Sequence, residues 1–254
     1  MKANYHTHTY RCQHATGEDR EYVEHAIAHG MKILGFSDHC PWIFPDGYVS
    51  IIRMSPQETD SYFSSLLSLK KEYANDIKIY IGFESEYIPE LMEKQTEFLK
   101  DYPVDYMILG QHFITREPFY PPESECRGTE KYLSKYVSLV IEGLETGLYR
   151  YVAHPDIAYL NTYSETYREQ MLRLCTYLKE HNIPVEINLL GLRDGRHYPS
   201  DRFFAIASEV GNSAIIGCDA HFPSALSDFG PINDCIAFAE KYGLNIVETL
   251  SGLE

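Results

Sequence analysis

The feature that most restricts the fold is an end-to-end alternation: short β-branched or aromatic runs give way to amphipathic stretches, repeatedly, along all 254 residues. The pattern predicts strands at 3–9 (ANYHTHT), 33–39 (ILGFSDH), 77–87, 106–113, 151–156, 184–190 and 214–221. Helices are predicted near 18–30, 55–73, 90–101, 129–147, 164–182, 200–211 and 230–243. Strand-helix units in series imply parallel strands joined by right-handed crossovers, closed into a barrel or left as an open doubly wound sheet. Both architectures gather functional groups at the carboxyl ends of the strands. No Ser/Gly/Pro-rich linker interrupts the series, so residues 1–254 read as one domain.

Several helices carry their own signals. Tyr132, Leu133, Tyr136, Val137, Val140, Ile141 and Leu144 recur at the helical period and predict a face packed on the sheet. Ser55-Pro56-Gln57-Glu58 is a capping box with proline at the first helical position, followed by an apolar side at Tyr62, Phe63, Leu66, Leu67 and Tyr73. Gly30, Gly147, Gly211 and Gly243 stand where helices should stop.

The chemistry collects at the predicted strand ends. His6 and His8 lie on the first strand, Asp38 and His39 on the second, and Glu84 and Glu86 on the third. His112 follows on the fourth, His154 and Asp156 on the fifth, and Asp219 and His221 on the seventh, with His14 in the loop leaving the first. Residues i and i+2 of a strand share a face, so His6 and His8 can turn both rings to one ion, and Asp219 with His221 should repeat that geometry. Two neighbouring same-face imidazoles are costly to bury without a cation, and hydrogen-bonded core histidines would not select strand ends so consistently. The rings therefore read as metal ligands. Glu84 and Glu86 share a pleat face, Glu84 being nearer the cluster, while Asp38 and Asp156 read as outer acceptors or caps. His25, His29 and His181 read as helix-surface residues, and His197 as an exposed bystander.

This pattern resembles the polymerase and histidinol phosphatase (PHP) superfamily, through HTH at 6–8 and the later SDH, GFE, GQH, AHP and CDAH segments. Within it, the chain is most similar to the histidinol-phosphate phosphatases, through CQHATGEDREYVEHAIAHGMKILGFSDHCPW, EINLLGLRDGRHYPS and GCDAHFPSAL. The resemblance implies a distorted (β/α)7 TIM-like barrel and three divalent ions of zinc, manganese or iron. By residue matching, His6, His8, Glu84 and Asp219 would hold the first ion. Glu84, as a bridge, would hold the second with His112 and His154, and His14, His39 and His221 the third. The activity implied is a metal-dependent phosphomonoesterase hydrolysing L-histidinol phosphate in histidine synthesis. Two positions depart from the family wording: EINLLGL has leucines where small polar residues are usual, and AHPDIAYLN lacks an arginine after the histidine.

Paired ions would activate a bridging hydroxide for in-line attack on phosphorus. Leaving-group protonation falls to Asp219 or a ligand-bound water. A formal charge of −15 disfavours nucleic-acid and anionic-membrane partners, but three ions would leave the rim locally positive and open to a small phosphate monoester. Guanidinium forks suit phosphoryl oxygens, and Arg193 and Arg196 after strand six are best placed, Arg193 foremost, with Arg116 and Arg127 as weaker candidates. Six scattered cysteines form no CxxC pair, and Cys12 and Cys40, beside candidate histidines, read as reduced packing residues. A secretory h-region and any run of eighteen apolar residues are absent, which predicts a cytoplasmic protein. Rival readings are a phosphatase for another small ester, phosphotyrosine or nucleotide, and a non-catalytic zinc-binding protein.

Overall fold

A computed structural model describes residues 1–117, 128–160 and 164–253. Eight parallel strands lie side by side in chain order: β1 (Ala3–Asn4), β2 (Ile33–His39), β3 (Lys78–Ser85), β4 (Tyr106–Leu109), β5 (Tyr149–Val152), β6 (Val185–Asn188), β7 (Ser213–Gly217) and β8 (Asn245–Ile246). The helices α1 (Asp19–Ala28), α2 (Thr59–Glu72), α3 (Pro89–Leu99), α4 (Glu130–Glu145), α5 (Glu165–Glu180), α6 (Leu189–Arg193), α7 (Asp201–Val210) and α8 (Phe229–Lys241) complete the α/β pattern. The sheet curls into a distorted TIM-like barrel. β8 pairs with the start of β7, whereas the chain beyond the end of β7 meets the segment after β1 in a parallel Thr7–Ala220 bridge. In that bridge the His8 N–H donates to the Ala220 carbonyl at 2.9 Å, and the Ala220 N–H to the His6 carbonyl at 3.2 Å.

The strand pleat sorts side chains into two layers. Leu34, Phe36, Ile79, Ile81, Phe83, Val185, Ile187 and Ile216 face the helices, where the α4 residues predicted to pack are all buried. Tyr5, Tyr80, Tyr106, Ile108, Tyr151 and Ile215 fill the barrel interior, with Leu250 and Leu253 beneath them. Each such side chain removed from water contributes on the order of 1.5–3 kcal/mol. The capping box at Ser55 forms, although its first turn is a 3₁₀ segment.

The structure differs from expectation at several points, three of them not involving the predicted ligands. β8 is an eighth strand, too short at two residues to leave a period-two signature. In α2 Leu67 is exposed and Leu69 buried, because Leu67 lies roughly 140° round the helix from Tyr62. The run predicted as a strand to residue 190 stops at Asn188, whose side chain accepts from the Gly191 N–H at 2.7 Å and opens α6. Among the described residues no helix is long and apolar enough to cross a membrane.

Candidate metal centre

Glu84, near the end of β3, stands at the hub of the rim. Its Oε1 lies 2.8 Å from His154 Nε2 and 3.5 Å from both His6 Nε2 and His112 Nε2. Its Oε2 lies 3.1 Å from His39 Nδ1 and 3.6 Å from His8 Nε2. One carboxylate thus faces five imidazoles, three on one oxygen and two on the other. Asp219 Oδ1 forms a second focus, 3.1 Å from His8 Nε2, 3.5 Å from His6 Nε2 and 3.3 Å from His221 Nδ1. The rings of His14 and His221 stack at 4.8 Å, and His39 lies 5.2 Å from His14. All nine residues predicted as ligands therefore meet on one rim.

The strands stop earlier than predicted, and the site depends on that. His112, His154, Asp219 and His221 lie beyond β4, β5 and β7, with left-handed backbone at His154 (φ 31°) and Asp219 (φ 49°). His6 and His8 likewise lie beyond β1, which ends at Asn4 and not at residue 9, so neither they nor Asp219 and His221 stand on a strand as expected. β3 ends at Ser85, one residue short of Glu86, which lines the cavity above this centre with Glu84. Glu86 also meets Arg53 at 3.1 Å, Trp42 Nε1 at 3.1 Å and His112 Nδ1 at 3.0 Å.

Most of these rings are held at one nitrogen. His14 and His221 direct Nδ1 to the carbonyls of Cys12 (2.7 Å) and Asp219 (3.0 Å). A carbonyl only accepts, so both rings carry their proton on Nδ1 and keep a lone pair on Nε2. Asp38 lies 3.4 Å from His8 Nδ1 and accepts from Thr9 Oγ1. The principal residue that sequence reasoning missed is Glu186 of β6. It accepts from His6 Nδ1 at 2.7 Å, the His154 N–H at 2.8 Å and Asn188 Nδ2 at 2.9 Å, and Asn188 Nδ2 also reaches Asp219 Oδ2 at 3.1 Å. Its sequence signal was a lone acid inside an apolar strand. Glycines make room for both central acids: a Cβ on Gly110 would sit 2.0 Å from Glu84 Oε1, and one on Gly217 1.8 Å from Glu186 Oε1.

Electrostatics follow from this packing. Burial favours the neutral form of Glu84, but His112, His6 and His39 outweigh it and hold its pKa well below the ordinary value. Asp219 is depressed in the same way, burial being overcome by His6, His8 and His221. Burial and the neighbouring His8 charge push His39 down to about 4 and His221 to about 3. In His6, burial is outweighed by Glu186, Asp219 and Glu84, and in His8 by Asp219 and Asp38, so both are raised well above 6.5. Asp156 accepts from the Ser200 N–H at 2.6 Å, and burial raises it to about 6.

The donor set fits divalent cations. Buried and without hydrogen-bond partners are His6 Nε2, both ring nitrogens of His8, Glu84 Oε2 and His154 Nδ1. Ligand atoms of His6, His8 and Asp219, of His6, Glu84 and His154, of His8, His39 and Glu84, and of His14, His39 and His221 lie within 4.8 Å of one another in each group. Nitrogen and oxygen donors so arranged suit zinc, manganese or iron.

A cavity of about 480 Å³ opens above this centre, with Ile52, Phe113, Ile157, Leu190 and Phe222 among its apolar lining. Arg193 and Arg196 line it. Arg193 Nε donates to Asp194 at 2.8 Å and its guanidinium lies over Phe222, while Arg196 donates to the Tyr198 hydroxyl at 2.8 Å. Arg116 does not line it: it pairs with Asp46 at 3.1 Å and Glu90 at 3.2 Å. Arg127 lies outside the described residues. Arg53, which carried no sequence signal, lines the cavity while buried between Glu86 and Glu117. His197 is exposed and bonds the Ile157 carbonyl at 2.9 Å.

The model of the PHP domain family matches residues 4–189. This chain belongs to the PHP domain family. Among PHP relatives, the "Probable histidinol-phosphatase" of Deinococcus radiodurans is 26% identical, with 86% of this chain and 85% of that protein covered. The "Histidinol-phosphatase" of Lactococcus lactis is 25% identical over 100% of this chain and 96% of that protein. The crystal structure of Lactococcus lactis histidinol phosphate phosphatase, complexed with zinc, L-histidinol and phosphate, shares the PHP fold. It superposes with a TM-score of 0.74 at 22% identity, covering 100% of this chain and 98% of that one.

Proposed function

We propose that this PHP domain is a phosphomonoesterase that hydrolyses L-histidinol phosphate to L-histidinol and phosphate, dependent on three divalent cations. The observation that carries this reading is the Glu84 carboxylate, bracketed by five imidazoles beneath an arginine-lined cavity. His6, His8, Glu84 and Asp219 would hold one cation, Glu84, His112 and His154 a second, and His14, His39 and His221 a third. When bound, the cations supply a water acidified to neutral pH and charge to stabilise the oxygens of an in-line displacement.

The chain's own groups do the rest. Arg193 and Arg196 present guanidinium forks to the phosphoryl oxygens and orient the ester. Phe113, Ile157, Leu190 and Phe222 displace bulk water and strengthen charge interactions inside. Proton movement we assign to Asp219 or to a water held beside it, the proton released by the attacking water being the one returned to the leaving alkoxide. Hydrolysis that is lost with the cations separates this reading from a non-catalytic zinc-binding protein.

The test couples metal analysis to turnover of histidinol phosphate, phosphotyrosine and an aryl phosphate. Histidinol phosphate should have the highest kcat/KM, and His8→Ala and Glu84→Gln should abolish hydrolysis. A better substrate elsewhere in the panel removes the substrate assignment, and intact turnover in either variant removes the metal mechanism.

A further inference from the structure

The nine matched ligands are nitrogen and oxygen donors, yet a sulfur lies among them. Cys12 ends the short 3₁₀ turn Tyr10–Cys12, between His8 and His14, and is wholly buried. That turn is fixed at both ends: the Cys12 N–H donates to the Thr9 carbonyl at 3.1 Å, and the Cys12 carbonyl receives His14 Nδ1 at 2.7 Å. Its Sγ, a ring nitrogen of His8 and one of His221 all lie within 4.8 Å of one another. Bonds of about 2.3 Å to sulfur and 2.0–2.1 Å to nitrogen would draw such groups together round a cation.

A second observation points the same way. His8 is wholly buried, and neither ring nitrogen forms a hydrogen bond, although Nε2 faces Asp219 Oδ1 at 3.1 Å and Nδ1 faces Asp38 Oδ1 at 3.4 Å. Its ring stacks on His221 at 4.1 Å, so the two imidazoles and the thiol share one side of the centre. Cys40 offers a contrast. It is equally buried, but its Sγ takes the Gln95 side-chain amide at 2.8 Å, and no imidazole group includes it.

We propose that Cys12 is a thiolate ligand of the cation that His14, His39 and His221 would hold, on the side where the His8 ring packs. The assignment rests on the metal-centre reading above and adds a donor to it. Cys12 is then no packing residue. A sulfur donor makes this position softer than its neighbours and gives it a preference for zinc over manganese.

Cobalt(II) reports both parts of the idea separately. Reconstitution of the metal-free protein with Co(II) alone should give visible d–d bands from the whole centre and a near-ultraviolet sulfur-to-cobalt charge-transfer band. Cys12→Ser should keep the d–d bands and lose the charge-transfer band. X-ray absorption of the zinc-loaded, unsubstituted protein should show a sulfur scatterer at about 2.3 Å, a measurement that needs no variant. Cobalt bands without charge transfer, a charge-transfer band that survives Cys12→Ser, or a zinc shell of nitrogen and oxygen only would each overturn the assignment of Cys12. Failure to take up any cobalt or zinc would instead remove the metal centre itself.

Discussion

Replacing Glu186 by glutamine should disable His6 without touching it. The carboxylate receives His6 Nδ1–H on one oxygen and the His154 N–H and Asn188 amide on the other. A glutamine has one acceptor oxygen and one NH2. If the NH2 faced His154 and Asn188, two buried donors would lose their acceptor, at about 1–3 kcal/mol each. The side chain therefore keeps its oxygen there and turns its NH2 to His6. Nδ1 must then accept, and the ring proton moves to Nε2, the nitrogen that faces Glu84 and Asp219 at 3.5 Å. A protonated Nε2 cannot bind a cation. Loss of such an orienting partner lowers metal affinity roughly 10- to 100-fold, or about 1.4–2.7 kcal/mol. Gly217→Ala should act alike, because its Cβ would occupy the place of Glu186 Oε1. Competition with a graded chelator, read by metal analysis, measures both. Wild-type affinity in Glu186→Gln would refute the tautomer argument.

Two further outcomes follow from the electrostatics and the cavity. In metal-free protein, His39 and His221 have folded pKa values below 6.5, so their contribution to stability grows as pH rises toward 6.5. His6 and His8 have raised values, so theirs is complete below 6.5 and is lost as pH climbs through the folded pKa. The thermal midpoint of chelated protein should therefore peak near pH 6.5 and then fall, whereas that of loaded protein, whose cations displace those protons, should rise and level off above it; parallel profiles would contradict the assignment. Arg196→Ala should raise KM for a phosphate monoester by roughly 10- to 100-fold, the worth of a charge-assisted bond of about 1.5–3 kcal/mol. Arg116→Ala, a residue paired with Asp46 and Glu90 away from the cavity, should leave KM unchanged in the same steady-state assay.

The rim was legible because strands in chain order bring their carboxyl ends together, so His39 and Glu84, which stand on strands, converge whatever the loops do, and His112 and His154 follow close behind theirs. His6 and His8 announced themselves by spacing alone. Strand ends were read too far because composition stays β-like through YVAHPD and GCDAH, while the backbone there turns left-handed to aim His154 and Asp219. Glu186 was invisible as a positioning group because its partner His6 is 180 positions away, and no local period encodes such a contact. Arg53 is similar: a loop arginine becomes structural only once Glu86 and Glu117 close round it. Leu67 shows the same limit on a helix, where an apolar letter beside the stripe does not say which side faces inward.

The Thr7–Ala220 bridge carries a consequence for assembly. Asn4 Oδ1 takes the Cys218 N–H at 2.8 Å across 214 positions, so the seam that unites the two ligand-bearing ends is sewn from the first and last thirds of the polypeptide. While the chain is still emerging from a ribosome, His6 and His8 wait without Asp219 and His221. Cations captured early would find half a cage, and the full complement enters only after the ring of strands has shut.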